Sequence, residues 1–180
     1  MLPVLTSART SMRIPVESDA PALLLYRVEN RAHLSPWEPL RDGFYYTIDH
    51  CMQAIADARK TARQERGFPF AVFDRQSQEL IATFNFANIV RGVFQACHLG
   101  YGIAASRQGQ GLMLEVLQTG LDFAFGNLGL HRVMANYMPH NERSAQLLAR
   151  LGFEREGYAK RYLNIAGRWE DHVLTAMVRD

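Results

Sequence analysis

The residues best spaced for chemistry run from Leu99 to Met113, reading Leu-Gly-Tyr-Gly-Ile-Ala-Ala-Ser-Arg-Gln-Gly-Gln-Gly-Leu-Met. An apolar strand there leads through a turn holding Gly109 and Gly111 into the start of an amphipathic helix. The first turn of a helix leaves backbone N–H groups unpaired and carries positive partial charge. Glycines let a ligand approach that bare backbone, so the segment reads as an anion site suited to phosphate or pyrophosphate.

Two phosphate-binding patterns do not fit. A P-loop needs Gly-x-x-x-x-Gly-Lys-Ser/Thr, and no such run exists. A dinucleotide fingerprint needs a small residue three places after Gly111, where Leu114 stands, and an acidic residue about 20 positions on for the ribose. The remaining pattern is Gln/Arg-x-x-Gly-x-Gly/Ala, which resembles the pyrophosphate loop of acetyl-CoA-dependent acetyltransferases. Gln108-Gly109-Gln110-Gly111 fits its first four places, and Met113 stands where a small residue is usual.

One helix and one strand later comes Asn141-Glu142-Arg143-Ser144, running on to Leu151-Gly152-Phe153. This is similar to the Asn-x-x-Ala/Ser-…-Leu-Gly-Phe segment of the GNAT superfamily, the GCN5-related N-acetyltransferases. Four further segments, Ser35–Pro39, Asn85–Gly92, Met134–Asn141 and Glu156–Lys160, resemble the RimJ-like group of ribosomal-protein-alanine N-acetyltransferases. The resemblance covers the chain from about Ile14 onward.

The resemblance implies an α/β (α+β) GNAT fold. Its single mixed, mostly antiparallel sheet would be splayed between two central parallel strands and flanked by helices. Acetyl-CoA would lie in that splay. Tyr101, Gly102 and Ile103 would pair with the pantetheine arm. The loop Gln108, Gly109, Gln110, Gly111, Leu112 and Met113 would hold the pyrophosphate. Asn141 would bond the cofactor, and Ser144, one turn on, would donate to the departing thiolate. Asn141 also reads as a plain helix cap and Ser144 as a capping-box hydroxyl. Trp37, Glu38 and Tyr137 would bind the acceptor.

The acceptor implied is the N-terminal alanine of a small-subunit ribosomal protein, with the small subunit as a partner. An α-amine titrates near ~7.7 and a lysine near ~10.4, so about one α-amine in six is free base at neutral pH against roughly one lysine in 2,500. An enzyme for N-termini therefore manages with a weak base. Relatives of shorter type have a glutamate where Asn136 stands and a tyrosine where Leu148 stands. The base is then open among Glu38, His98, Tyr101 and Tyr158. Two other readings compete: a small-molecule N-acetyltransferase for antibiotics or polyamines, and a non-catalytic acetyl-CoA-binding ribosome assembly factor.

These groups need elements to position them. Periodicity predicts a first strand over Ser11–Val16 and a helix from Ser18-Asp19-Ala20-Pro21 with Leu23, Leu24, Val28 and Ala32 on one face. His33–Pro39 reads as a loop, and a second helix as Tyr46–Arg66 stopped by Gly67. Strands follow over Phe68–Phe73, Leu80–Ala87 and Val93–Ile103, then a helix over Gly111–Phe125. His131–Met138 is a strand, Asn141–Leu151 a helix ended by Gly152, and Phe153–Ile165 with Trp169–Val178 a closing hairpin. The 180 residues fit one domain, residues 1–180, with 48% hydrophobic and 21% charged residues. A net charge of +2 shows no nucleic-acid signature. Cys51 and Cys97 lack disulfide or metal spacing, and no His/Cys cluster suggests a metal. The opening Met1-Leu2-Pro3-Val4-Leu5 is no signal peptide and no run approaches the ~20 apolar residues of a membrane span, so the expectation is cytoplasmic.

Overall fold

The computed structural model describes residues 2–179. It is built on one eight-stranded sheet with helices on both faces, in the order β1-β2-β3-β4-β5-β6-β8-β7. The strands are β1 (Val4–Thr6), β2 (Thr10–Arg13), β3 (Phe68–Asp74), β4 (Leu80–Val90), β5 (Ala96–Ile103), β6 (Arg132–Tyr137), β7 (Glu154–Ile165) and β8 (Arg168–Val178). The helices are α1 (Ala20–Glu29), α2 (Arg31–Leu34), α3 (Ile48–Arg63), α4 (Leu112–Asp122) and α5 (Glu142–Leu151). Every neighbouring pair of strands is antiparallel except β5 and β6. The mixed sheet with one central parallel pair matches the expected fold class.

Local chemistry explains most boundaries. Pro21 lies in the first turn of α1, where its missing N–H costs nothing. Asn30 ends that helix: its Nδ2 donates to the Tyr26 carbonyl at 2.9 Å, and its Oδ1 accepts from the Ala105 amide at 2.8 Å. The buried amide thus ties α1 to the turn leaving β5. Thr47 caps α3, its Oγ1 accepting from the His50 amide at 3.3 Å. Gly152 closes α5 in the left-handed conformation.

Several expectations shift. The strand read as Ser11–Val16 is Thr10–Arg13, and the unexpected β1 pairs with it in a hairpin. Helix α3 runs from Ile48, after a 3-10 turn at Gly43–Tyr46, and stops at Arg63, capped by Gln64 rather than by Gly67. Gly67 serves a close approach instead: a Cβ there would lie 2.9 Å from the Phe86 carbonyl oxygen. β4 extends to Val90 and β5 starts only at Ala96, because the segment between turns at Gly92 and Gln95, both at positive φ. Val28 is 52% exposed and Ala32 is also exposed; the α1 residues that pack inward are Ala20, Leu23 and Tyr26. Helix α4 passes into a π-helical turn at Phe123–Asn127.

The sheet divides two cores. On one face Phe70, Phe84 and Phe86 pack against Val116, Leu117 and Leu121 of α4 and Leu148 of α5. On the other, Ala71, Phe73 and Leu80 pack against Leu23 and Tyr26 of α1 and Ile55 of α3. Because side chains alternate along a strand, Tyr101 faces the α4–α5 side while Gly102 faces α1.

Candidate active site

The parallel ladder between β5 and β6 covers three pairs, Ala96↔Arg132, Cys97↔Val133 and His98↔Met134, and then stops. Beyond it β5 stays paired only with β4, through Gly102↔Thr83 and Ile103↔Ala82, while β6 stays paired with β8 up to Tyr137↔Val173. The two central strands therefore diverge, and the β6-facing edge of Leu99–Ile103 has no strand partner. Backbone groups want partners, so this edge can receive an extended chain as an added strand. The wedge opens onto both faces of the sheet.

The α5 face carries hydroxyls. Asn141 caps α5, its Oδ1 accepting from the Ser144 amide at 3.1 Å. The cap orients the first turn, and the Ser144 hydroxyl meets the Tyr101 hydroxyl at 2.6 Å. Burial pushes the Tyr101 phenol up to about 12, with the Ser144 hydrogen bond opposing it. Tyr101 therefore stays protonated at neutral pH, which makes it no base, and either hydroxyl of the pair can donate to the other. Tyr137 is half-buried in the same core. Leu148 is 1% exposed and belongs to the core, so it offers no acid at that position.

The loop after β5 is built for an anion. Gly109 and Gly111 sit at φ +72° and +71°, and Gly111 caps α4. That conformation costs a side chain about 1–2 kcal/mol. It starts α4 at Leu112, and the amides of a helix's first turn have no acceptor within the helix. The Gln108 side chain spans the site: its Oε1 accepts from Arg143 of α5, and its Nε2 lies 3.1 Å from His33 Nε2 of α2.

A brace behind this loop escaped the sequence reading. Arg9, in the β1–β2 turn, donates from its amide to Glu115 Oε1 at 2.8 Å and from Nε to Oε2 at 2.7 Å. Its Nη1 donates to the Gln110 carbonyl at 3.0 Å. Ser7 Oγ donates to the same Glu115 Oε1 at 2.5 Å. Burial would raise Glu115, but the Ser7 and Arg9 hydrogen bonds and the Arg9 charge outweigh it and hold the carboxyl below the usual range.

On the α1 face, a cavity of about 120 Å³ is lined by Tyr26, Leu34, Glu38, Tyr45 and Thr83 among others. Helix α2 and a 3-10 turn at Ser35–Trp37 deliver Glu38 there, and its carbonyl accepts from the Ala166 amide at the β7–β8 turn at 2.9 Å. Burial raises the Glu38 carboxyl above the usual range, against the opposing charges of Arg41 and Arg27. Arg41 Nε is 3.9 Å away, a loose pair. The Trp37 ring stacks at 5.5 Å from the His140 ring just before Asn141, so this loop reaches the α5 end of the wedge.

The other expected residues stand apart. His98 sits at the root of the wedge, half-buried, with Nδ1 unpartnered among the described residues, and burial lowers its pKa. Tyr158, exposed on the edge strand, donates to Asp171 Oδ2 at 2.7 Å and does not join the Tyr101–Ser144 pair. Asn136 lies on β6, its Oδ1 accepting from the Thr175 amide at 3.3 Å and its Nδ2 reaching the Tyr162 hydroxyl at 3.5 Å. Among the described residues no cluster of His, Cys, Asp and Glu forms a metal site, and no helix is long and apolar enough to cross a membrane.

Comparison with known proteins gives a consistent picture. Residues 9–154 match the acetyltransferase (GNAT) domain family. The chain is 48% identical over 178 residues to the [ribosomal protein uS5]-alanine N-acetyltransferase of Escherichia coli K12, covering 96% of this chain and 89% of that one. A ribosomal-protein-S5-alanine acetyltransferase from Vibrio fischeri superposes with a TM-score of 0.94 at 38% identity, covering 99% and 97% of the two chains. Mycobacterium smegmatis RimJ in complex with CoA-disulfide gives 0.90 at 31% identity, covering 98% and 86%.

Proposed function

This chain belongs to the GNAT acetyltransferase family, and from that premise we propose that it acetylates the N-terminal alanine α-amine of a small-subunit ribosomal protein. Acetyl-CoA is the cofactor of this family. We further take residues 1–180 as one acetyltransferase domain acting in the cytoplasm, with the small ribosomal subunit as the source of the acceptor. The observation that carries the reading is the wedge between β5 and β6, with the Tyr101–Ser144 hydroxyl pair on its α5 face and a cavity lined by Glu38 on the α1 face of the sheet.

The residues present fit acetyl-CoA. The unpaired edge Tyr101–Ile103 suits the two amides of a pantetheine arm, and the amides of Gly109–Met113 suit a diphosphate. Bound there, acetyl-CoA supplies the acyl thioester that the amine attacks. Glu38 binds the acceptor's α-ammonium and takes its proton, directly or through water. Its raised pKa makes it a better base than an exposed carboxylate. An α-amine already partly free at neutral pH asks little more. On the other face, Ser144 gives its hydroxyl proton toward the departing sulfur, and Tyr101, held protonated, donates to Ser144 in turn.

The test is incubation with acetyl-CoA and an alanine-initiated ribosomal peptide, read by mass spectrometry. The expected result is one acetyl group on the first residue. Acetylation of a small amine in preference to the peptide, or coenzyme A binding without turnover, contradicts the proposal.

A further inference from the structure

The Tyr26 side chain is 5% exposed, and its hydroxyl has no hydrogen-bond partner among the described residues. A buried hydroxyl left unpaired costs stability, so its retention asks for a reason. The hydroxyl lies at the β5 end of the α1-face cavity. A Cβ on Gly102 would stand 3.7 Å from the Tyr26 oxygen and 3.5 Å from Leu34 Cδ2, and Thr83 is the strand partner of Gly102. Tyr26, Leu34, Thr83 and Glu38 all line this one space. Its volume is about 120 Å³.

The neighbouring cations are partly engaged elsewhere. Arg27 Nη1 is committed to the Tyr45 carbonyl at 3.0 Å and to His50 Nδ1 at 3.0 Å, and Arg31 lies over the Tyr46 ring. Among the groups lining the space, the Glu38 carboxylate can accept from a guest and the Tyr26 phenol can donate to one. Burial pushes the phenol's pKa up and Glu38 adds to it, while the Thr83 side chain beside it opposes them, and the phenol keeps its proton.

We propose that this cavity holds the acceptor's first residue, with the Tyr26 hydroxyl donating to that residue's carbonyl oxygen while Glu38 holds its amine. This rests on the functional reading above and assigns its specificity. Leu34, which lines the space, favours a small first side chain such as alanine.

The test compares the wild type with Tyr26→Phe and Leu34→Ala. Tyr26→Phe raises the KM for an alanine-initiated peptide about tenfold, roughly the value of one hydrogen bond to a buried partner. It leaves kcat within about twofold, leaves the Kd for coenzyme A unchanged, and does not lower Tm, since it removes an unpaired buried hydroxyl. Leu34→Ala raises kcat/KM for a methionine-initiated peptide relative to the alanine-initiated one. An unchanged peptide KM in Tyr26→Phe overturns the inference, as does a parallel loss of coenzyme A affinity and Tm, which would mark a merely structural tyrosine. If the wild type does not acetylate the alanine peptide at all, the functional reading falls and the inference with it.

Discussion

The hydroxyls of Tyr101 and Ser144 lie 2.6 Å apart, joining the central strand β5 to the first turn of α5. A protonated phenol beside a half-buried serine can serve as a two-step donor chain. Ser144→Ala is expected to lower kcat about 10²-fold, the size of a general-acid contribution, while coenzyme A still binds. Tyr101→Phe should lower kcat less, about tenfold, and the double variant should be no worse than Ser144→Ala, because the two act as one unit. Steady-state kinetics with calorimetric binding of coenzyme A check this.

Glu38 gives a pH dependence whose sign follows from its raised pKa. A base must be deprotonated, so kcat/KM falls as pH drops through a value above the usual carboxylate range, and Glu38→Gln loses that limb along with most activity. Stability runs the other way. The folded state holds this proton more tightly than the unfolded one, so ionising Glu38 costs stability as pH rises through that window. Glu38→Gln should therefore be at least as stable as the wild type at neutral pH. A pH–rate profile and thermal melts across the same range measure both.

The Arg9–Glu115 brace predicts a loss confined to the cofactor. Arg9→Ala frees the Gln110 carbonyl and loosens the glycine loop. The Kd for coenzyme A is expected to rise about tenfold, ~1.4 kcal/mol, with the peptide KM unchanged. The Glu115 carboxyl titrates below its usual value. Its stabilisation is present above the unfolded pKa and is lost as pH falls through the folded one. Glu115→Gln should thus narrow the stability difference between neutral and acid pH, measured by denaturant titration.

Gly111 sits at φ +71°, where a side chain is strained whatever the space around it. Gly111→Ala should cost about 1–2 kcal/mol of stability and also weaken coenzyme A binding by turning the first amides of α4. Chemical denaturation and calorimetry separate the two effects.

What could be read from the sequence was what is local. Gly111 and Gly152 announce helix ends because φ above zero needs glycine, and Asn141 announces a cap because its side chain satisfies an amide three residues on. The helix stop at Gly67 failed for the same reason in reverse: a glycine kept for a close backbone approach looks identical to one kept for a turn. Contacts between distant residues were invisible. Tyr101 and Ser144 were each singled out, but 43 residues separate them, and their hydrogen bond depends on where the wedge opens. Arg9 and Glu115, 106 residues apart, carried no signal, since an arginine in a turn and a glutamate in a helix are ordinary surface residues. Tyr26 falls on the buried side of α1, where an aromatic residue reads as core, and its missing partner is a property of the packed structure alone. Ala32 misled because the helix breaks at Asn30, so the stripe does not continue in phase, and Val28 because α1 packs through Ala20, Leu23 and Tyr26 instead.

The central claim is that the wedge between β5 and β6 is used from both sides, with cofactor on the α5 face and acceptor on the α1 face. A crystal structure with coenzyme A and an alanine-initiated peptide tests it most directly. The account predicts the coenzyme sulfur in hydrogen-bond contact with the Ser144 hydroxyl and the peptide's first residue beside Glu38. A peptide seated on the α5 face, or a sulfur remote from Ser144, contradicts it.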